Sequence, residues 1–275
     1  MTNENRREVI FTSWAKLLRD RTNDDAAELF LRRILRRFRI VKRSRLLEVG
    51  CGDGWLSERL ASDYFVDAID VLPGMIELAR NTHPHRRVRY VCKDVRAWKH
   101  REYDAAWSWG HSLGYGARSR LREEIAALCR MVNSRAPVIL DFRNRNDVLR
   151  RMREDGGVYR SGSARCQLPV VTSERYANGS WFLTFCVPRQ VSTPVSAEVQ
   201  VRLPSFGSLS SMLPRHWAVR AYGDYELRRY DERRSPRLIL VASASPALPQ
   251  KKHPDRILRP MGPENVEAAR CKPLG

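Results

Sequence analysis

Three glycines at alternate positions, Gly50, Gly52 and Gly54, interrupt the segment LLEVGCGDGWLS. Ahead of them LLEVG reads as a buried strand. Behind them WLSERL carries helical spacing of its apolar residues. A strand that breaks into glycines and enters a helix is a nucleotide-binding turn, because glycine accepts positive φ and lets the backbone approach a ligand. The dinucleotide fingerprint needs its third glycine three positions after the second. Here that position is Trp55, so the turn argues against a pyrophosphate-bearing dinucleotide. Acidic residues complete the constellation. Glu48 lies at the end of the first strand, and Asp70 ends the next apolar run, YFVDAID, where a carboxylate can accept from ribose hydroxyls. Val71 and Leu72 follow and can pack on a base.

The order Glu-x-Gly-x-Gly-x-Gly resembles motif I of the class I S-adenosylmethionine (SAM) methyltransferases. The resemblance implies SAM as cofactor, with Glu48 near its ammonium end. A third run, RVRYVC, ends before Lys93-Asp94-Val95. In the family an acidic residue here accepts from the adenine amine, and the next backbone N–H reads a ring nitrogen. By position these are Asp94 and Val95. The resulting cofactor-binding set is Glu48, Gly50, Cys51, Gly52, Asp70, Val71, Leu72, Asp94, Val95, Trp109 and Gly110.

The fourth strand, YDAAWSW, runs into Gly110-His111-Ser112-Leu113-Gly114-Tyr115, where class I enzymes face the transferred methyl group. His111 has the unperturbed pKa of a general base, and Tyr115 can offer a hydrogen bond or a π face to a sulfonium. Both are candidate catalytic residues. The segment lacks the Asn/Asp-Pro-Pro-aromatic tetrad of base N-methylating enzymes, and no Pro-Cys nucleophile of a 5-methylcytosine enzyme occurs. The fifth strand ends in Asp141-Phe142-Arg143-Asn144. Asp-x-Arg-Asn, together with Gly223-Asp224-Tyr225, is similar to the glycine and sarcosine N-methyltransferases. That similarity implies that Arg143 holds a substrate carboxylate by a bidentate pair. The family's turn asparagine is His111 here, which argues against glycine itself as acceptor. Phe11 and Trp14 are the aromatic residues of the N-terminal segment that can cover the site, and Trp14 is a candidate substrate contact.

The elements that position these residues alternate. Strands are expected near 45–49, 65–70, 88–92, 104–109 and 136–142, and helices near 55–63, 73–81 and 118–133. This pattern predicts a doubly wound, mostly parallel seven-stranded α/β sheet. Residues 1–44 form an N-terminal helical cap, with Asp24 and Asp25 capping the helix that runs to about Ile40. Residues 45–245 form the methyltransferase domain. Within it QLPVVTSERYANGSWFLTFCV turns at Ala-Asn-Gly and, with AEVQVRL, makes an antiparallel insert at about 158–204. WAVRAYGDYE and RLILVASAS close the sheet, and 246–275 is a flexible tail.

The 275 residues suffice for a sizeable core. No apolar run approaches the roughly 20 residues of a membrane span, and MTNENRREVI has no apolar signal core, so the expected location is the cytoplasm. Six cysteines show no Cys-x-x-Cys pair and read as reduced thiols, with no metal site or disulfide framework. Fifty Lys and Arg against 31 Asp and Glu give a net charge of +19, which would attract polyanions non-specifically. The densest run, LRRILRRFR, places Leu31, Ile34, Leu35 and Phe38 on one helical face and arginines on the other. The reading is a SAM-dependent methyltransferase acting on a small-molecule acceptor, at an amine nitrogen ahead of an oxygen. An RNA- or protein-directed methyltransferase and a non-catalytic SAM-binding protein stay open. Oligomeric state is not legible.

Overall fold

Arg45–Val49, the head of the glycine turn, forms β1, and its last four residues are all buried. Continuous burial marks a parallel strand covered on both faces. The computed structural model of the protein describes residues 9–12, 24–115, 117–154, 170–187 and 195–244. Trp14, Asp24's side chain and the expected tail lie outside what it describes. Within it β1 is followed by helix α2 (Trp55–Leu60), β2 (Phe65–Asp70), α3 (Pro73–Thr82), β3 (Val88–Cys92), a 3-10 turn (Val95–Ala97), β4 (Ala105–Ser108), α4 (Arg118–Met131) and β5 (Val138–Arg143). Helix α1 (Asp24–Arg37) precedes β1, and α5 (Arg145–Glu154) follows β5. Pro73 opens α3 at its first turn, where its missing N–H costs nothing.

The main sheet has seven strands in the order β3-β2-β1-β4-β5-β10-β9. The first five pair in parallel, whereas β10 (Arg237–Ser243) runs antiparallel to β5 and to β9 (Ala218–Tyr222). Strand parity divides the core into two layers. Leu46, Trp107, Ile139 and Ile239 face one, with Phe30, Leu31, Ile34 and Leu35 of α1. Leu47, Ala106, Leu140 and Leu240 face the other, with Leu121, Ile125 and Leu128 of α4. Burying each Leu or Ile of these stripes contributes roughly 1.5–3 kcal/mol. The arginine-rich helix thus docks by its apolar stripe. Its basic face is partly neutralised, with Arg32 bonded to Glu28 and Asp63 at 2.8 and 2.7 Å.

The expected insert is a separate three-stranded antiparallel sheet of β6 (Val170–Ala177), β7 (Ser180–Val187) and β8 (Val195–Arg202). Asn178 and Gly179 turn its first hairpin with φ of 50° and 71°, the left-handed pair that tight hairpins need. Trp181, Leu183, Phe185, Val199 and Val201 line one face, against Ile10 and Val148 of α5. A short helix, α6 (Phe206–Ser210), leads back to β9.

Candidate functional site

The glycine turn is stitched to β2 by its own backbone. The N–H groups of Gly50 and Cys51 both donate to the Ile69 carbonyl, at 2.8 and 3.1 Å. Gly50 has φ of 72°, and a Cβ there would stand 2.3 Å from Ser112 Cβ, so only glycine lets the first- and fourth-strand loops meet. The Ser112 hydroxyl donates to the Gly50 carbonyl at 2.9 Å across that contact. Asp70 closes the other side. Its carboxylate accepts from Gly52 N–H at 3.1 Å and from Leu72 N–H at 3.0 Å. Burial raises its pKa, while the Leu72, Gly52 and Val71 amides favour the charged form.

Above these strand ends lies a cavity of about 610 Å³, lined by Gly50, Asp70, Val71, Leu72, Asp94, Val95 and Tyr115 among the expected residues. That is ample for a nucleoside-sized ligand. Val71 leaves 49% of its apolar surface open. Phe11 meets Tyr115 edge-to-face at 5.5 Å, and both line the cavity. A second depression of about 640 Å³, along the Arg122 and Cys129 side of α4, contains none of the glycine-turn or strand-end residues.

Residues 46–135 match the methyltransferase domain family. The chain carries a methyltransferase domain. The matched span holds β1 through β4 and α4, hence nearly every wall of the cavity. A curated relative, malonyl-[acyl-carrier protein] O-methyltransferase of Acetivibrio thermocellus, is 37% identical over 78 residues. Those residues are 25% of this chain and 28% of the relative's length. Among solved structures, a SAM-dependent methyltransferase from Clostridium acetobutylicum superposes with a TM-score of 0.67 at 15% identity, covering 84% of this chain and 95% of that one. An amino pentose methyltransferase from Micromonospora echinaspora, solved with SAM bound, gives 0.51 at 16% identity, covering 81% and 91%. The sheet is that of the class I methyltransferases.

Several expected contacts of the methyltransferase domain fall elsewhere. The Glu48 carboxyl is buried between β1 and α2, where the Ser57 hydroxyl donates to it, and burial pushes its pKa up to about 8. It clasps strand to helix and is not on the cavity wall. Cys51 is buried, with its thiol pKa pushed well up by burial. Gly52 contributes its N–H to Asp70 and does not line the cavity. Trp109 stacks on Tyr225 at 5.0 Å in the core, and Gly110 N–H donates to Asp141 Oδ2 at 2.9 Å.

His111 is the main correction. Its Nε2 bonds the Arg202 carbonyl at 2.8 Å and its Nδ1 accepts from Arg143 N–H at 3.0 Å. A carbonyl requires Nε2 to carry the proton, so the neutral tautomer is locked and neither nitrogen can take another proton. Burial, with the Arg143 and Arg237 charges behind it, lowers the pKa to about 3. The imidazole fastens the fourth-strand loop to β5 and β8 and is no general base. The Arg143 guanidinium lies 5.9 Å from the Trp181 ring and outside the cavity wall. Asp141, of the same Asp-x-Arg-Asn segment, holds Arg237 bidentately at 2.6 Å on both oxygens.

Sequence reasoning missed Lys93, Ser112, Leu113, Arg120 and Glu124 on the wall. The last two are spaced i,i+4 on α4 and bond at 2.9 Å, a pair legible as helix stabilisation but not as a cavity lining.

Proposed function

We propose that the protein is a SAM-dependent methyltransferase acting on a small-molecule acceptor at an amine nitrogen. The observation that carries this reading is the convergence of Gly50, Asp70, Val71, Leu72, Asp94 and Val95, from three separate strand ends, on one cavity. These residues fit an adenosyl group. In this reading Asp70 accepts from ribose hydroxyls with the lone pairs left over by Gly52 and Leu72. The open face of Val71, with Leu72, offers an apolar seat for a base. The bound cofactor supplies a methyl group activated on a sulfonium.

The chain's own work is alignment, since near-attack geometry supplies much of such an acceleration. Phe11 and Tyr115 form an aromatic wall suited to a cationic or amine-bearing acceptor. With His111 locked, the acceptor must be nucleophilic without a histidine base. A neutral amine meets that condition, and the amino pentose methyltransferase neighbour supports it. A carboxylate meets it as well, and the O-methyltransferase relative favours that second reading.

Calorimetry with SAM tests the cofactor. The wild type should bind at micromolar concentration, and Asp70→Ala should weaken binding. No binding by the wild type, or equal binding by the variant, removes the proposal. A screen of amines, amino acids and amino sugars with radiolabelled SAM tests the acceptor. Label stable to mild alkali marks an N-methyl product, whereas alkali-released methanol marks an ester and overturns the amine reading. The +19 charge supports non-specific polyanion binding as a separate property, expected to weaken steeply with salt.

A further inference from the structure

Asp94 stands where the methyltransferase resemblance expects the acceptor for the adenine amine, yet its oxygens are already taken. Oδ1 accepts from Arg96 N–H at 2.8 Å and Arg96 Nε at 3.1 Å. Oδ2 accepts from Arg96 Nη2 at 2.7 Å and Arg120 Nη2 at 3.3 Å. Four N–H groups meet the four lone-pair positions of a carboxylate. The same Arg120 reaches a second carboxylate, donating through Nε to Glu124 Oε1 at 2.9 Å. Glu124 lines the cavity beside Asp94, and its side chain is only 8% exposed. Its Oε2 is buried without a hydrogen-bond partner. A buried acceptor left unsatisfied carries an uncompensated desolvation cost, which a ligand donor reaching it recovers.

We propose that Glu124, and not Asp94, accepts the hydrogen bond of the bound adenine's exocyclic amine, with Arg120 as the clamp that holds both carboxylates in register. The inference rests on the cavity being the SAM site. Rotation about the soft terminal torsion of Glu124 turns both oxygens together, so the flexible Arg120 follows Oε1 as Oε2 is presented at the wall. Burial raises the Glu124 pKa, and Arg120 and the nearby Gly114 amide oppose the rise. Asp94, held low by Arg96, anchors the guanidinium pair.

The test is calorimetry with S-adenosylhomocysteine and with its 6-oxopurine analogue, in which a carbonyl replaces the amine. The wild type should prefer the adenine compound by roughly a hundredfold or more, as sites built around a donor reject its absence. Glu124→Gln keeps the shape and places an amide that can donate to the 6-oxo group. It should bind S-adenosylhomocysteine about tenfold more weakly and shrink the preference below about tenfold. Asp94→Asn should retain the preference, whatever its affinity. Glu124→Gln with wild-type affinity and preference overturns the inference. So does a preference lost in Asp94→Asn and kept in Glu124→Gln. Failure of the wild type to bind S-adenosylhomocysteine at all removes the SAM reading and the inference together.

Discussion

Replacing Gly50 by alanine should cost far more than replacing Gly52, although both residues are left-handed. Their φ angles are 72° and 56°, and an L-residue there pays about 1–2 kcal/mol. Alanine regains roughly 0.4–1 kcal/mol by stiffening the unfolded chain. Gly52→Ala meets nothing within 4 Å, so its net cost should be about 1.6 kcal/mol or less. Gly50→Ala places a Cβ 2.3 Å from Ser112 Cβ and 2.9 Å from its Oγ. Carbon atoms rest at about 3.5–4.0 Å, so the two loops must part by more than 1 Å. Neither loop yields freely. Gly50 and Cys51 are bonded to Ile69, and Ser112 donates to Gly50. Overpacking at about 1–3 kcal/mol and a strained or lost hydrogen bond at about 0.5–1.5 kcal/mol, added to the φ cost, bring the total to about 1.5–6 kcal/mol. Urea unfolding should show a lower midpoint at unchanged slope for Gly50→Ala, with Gly52→Ala near wild type. Adding Ser112→Gly to Gly50→Ala should relieve the crowding and leave the φ cost together with the loss of the Ser112 hydrogen bond. Equal stability of the two alanine variants, or no rescue, would refute the reasoning.

Asp141→Asn strands the Arg237 guanidinium, 18% exposed, beside a neutral amide. The expected loss is about 3–5 kcal/mol, or roughly 6–20 °C in Tm by thermal denaturation. His111 has a folded pKa of about 3 against 6.5 for an open histidine. Between those values the unfolded state binds the extra proton, so stability is full above pH 6.5 and falls on acidification, by up to about 1.4 kcal/mol per pH unit. His111→Gln should lack that component when urea midpoints at pH 7 and pH 5 are compared, and NMR should show no His111 titration between pH 5 and 8. Glu48 runs the other way. Its folded pKa of about 8 exceeds the 4.5 of an open glutamate, so its contribution is full below pH 4.5 and is lost as pH rises toward and through 8. Relative to the wild type, Glu48→Gln should therefore gain stability between pH 6 and pH 8, and a flat difference would contradict the assignment.

The five parallel strands, their three intervening helices and the insert hairpin were legible because each rests on local rules. Pleat parity, helical spacing, Pro73 at a first turn and Asn178-Gly179 in a tight hairpin act within a few residues. Helix α5 was visible only as a helix-like segment, since its hydrophobic pattern is thin among six charged residues. The candidate site divides along the same line. Asp70 ends β2, with its carboxylate bonded to Gly52 and Leu72, and lines the cavity. Glu48, one residue before the end of β1, turns under the loop toward Ser57.

By itself the sequence determined that a glycine turn joins a buried strand to a helix, and that acidic residues end the strands around it. Those are demands of the backbone, written in consecutive residues. Tertiary structure decided which groups keep free chemistry. His111 lost its basicity to Arg202, 91 positions away, Asp141 was paired with Arg237, 96 away, and Asp94 gave its oxygens to Arg96 and Arg120. The function of an ionisable side chain depends on what is left unsatisfied after packing, and that balance is settled between distant segments. At the adenine end of the proposed site, what it leaves is one oxygen of Glu124.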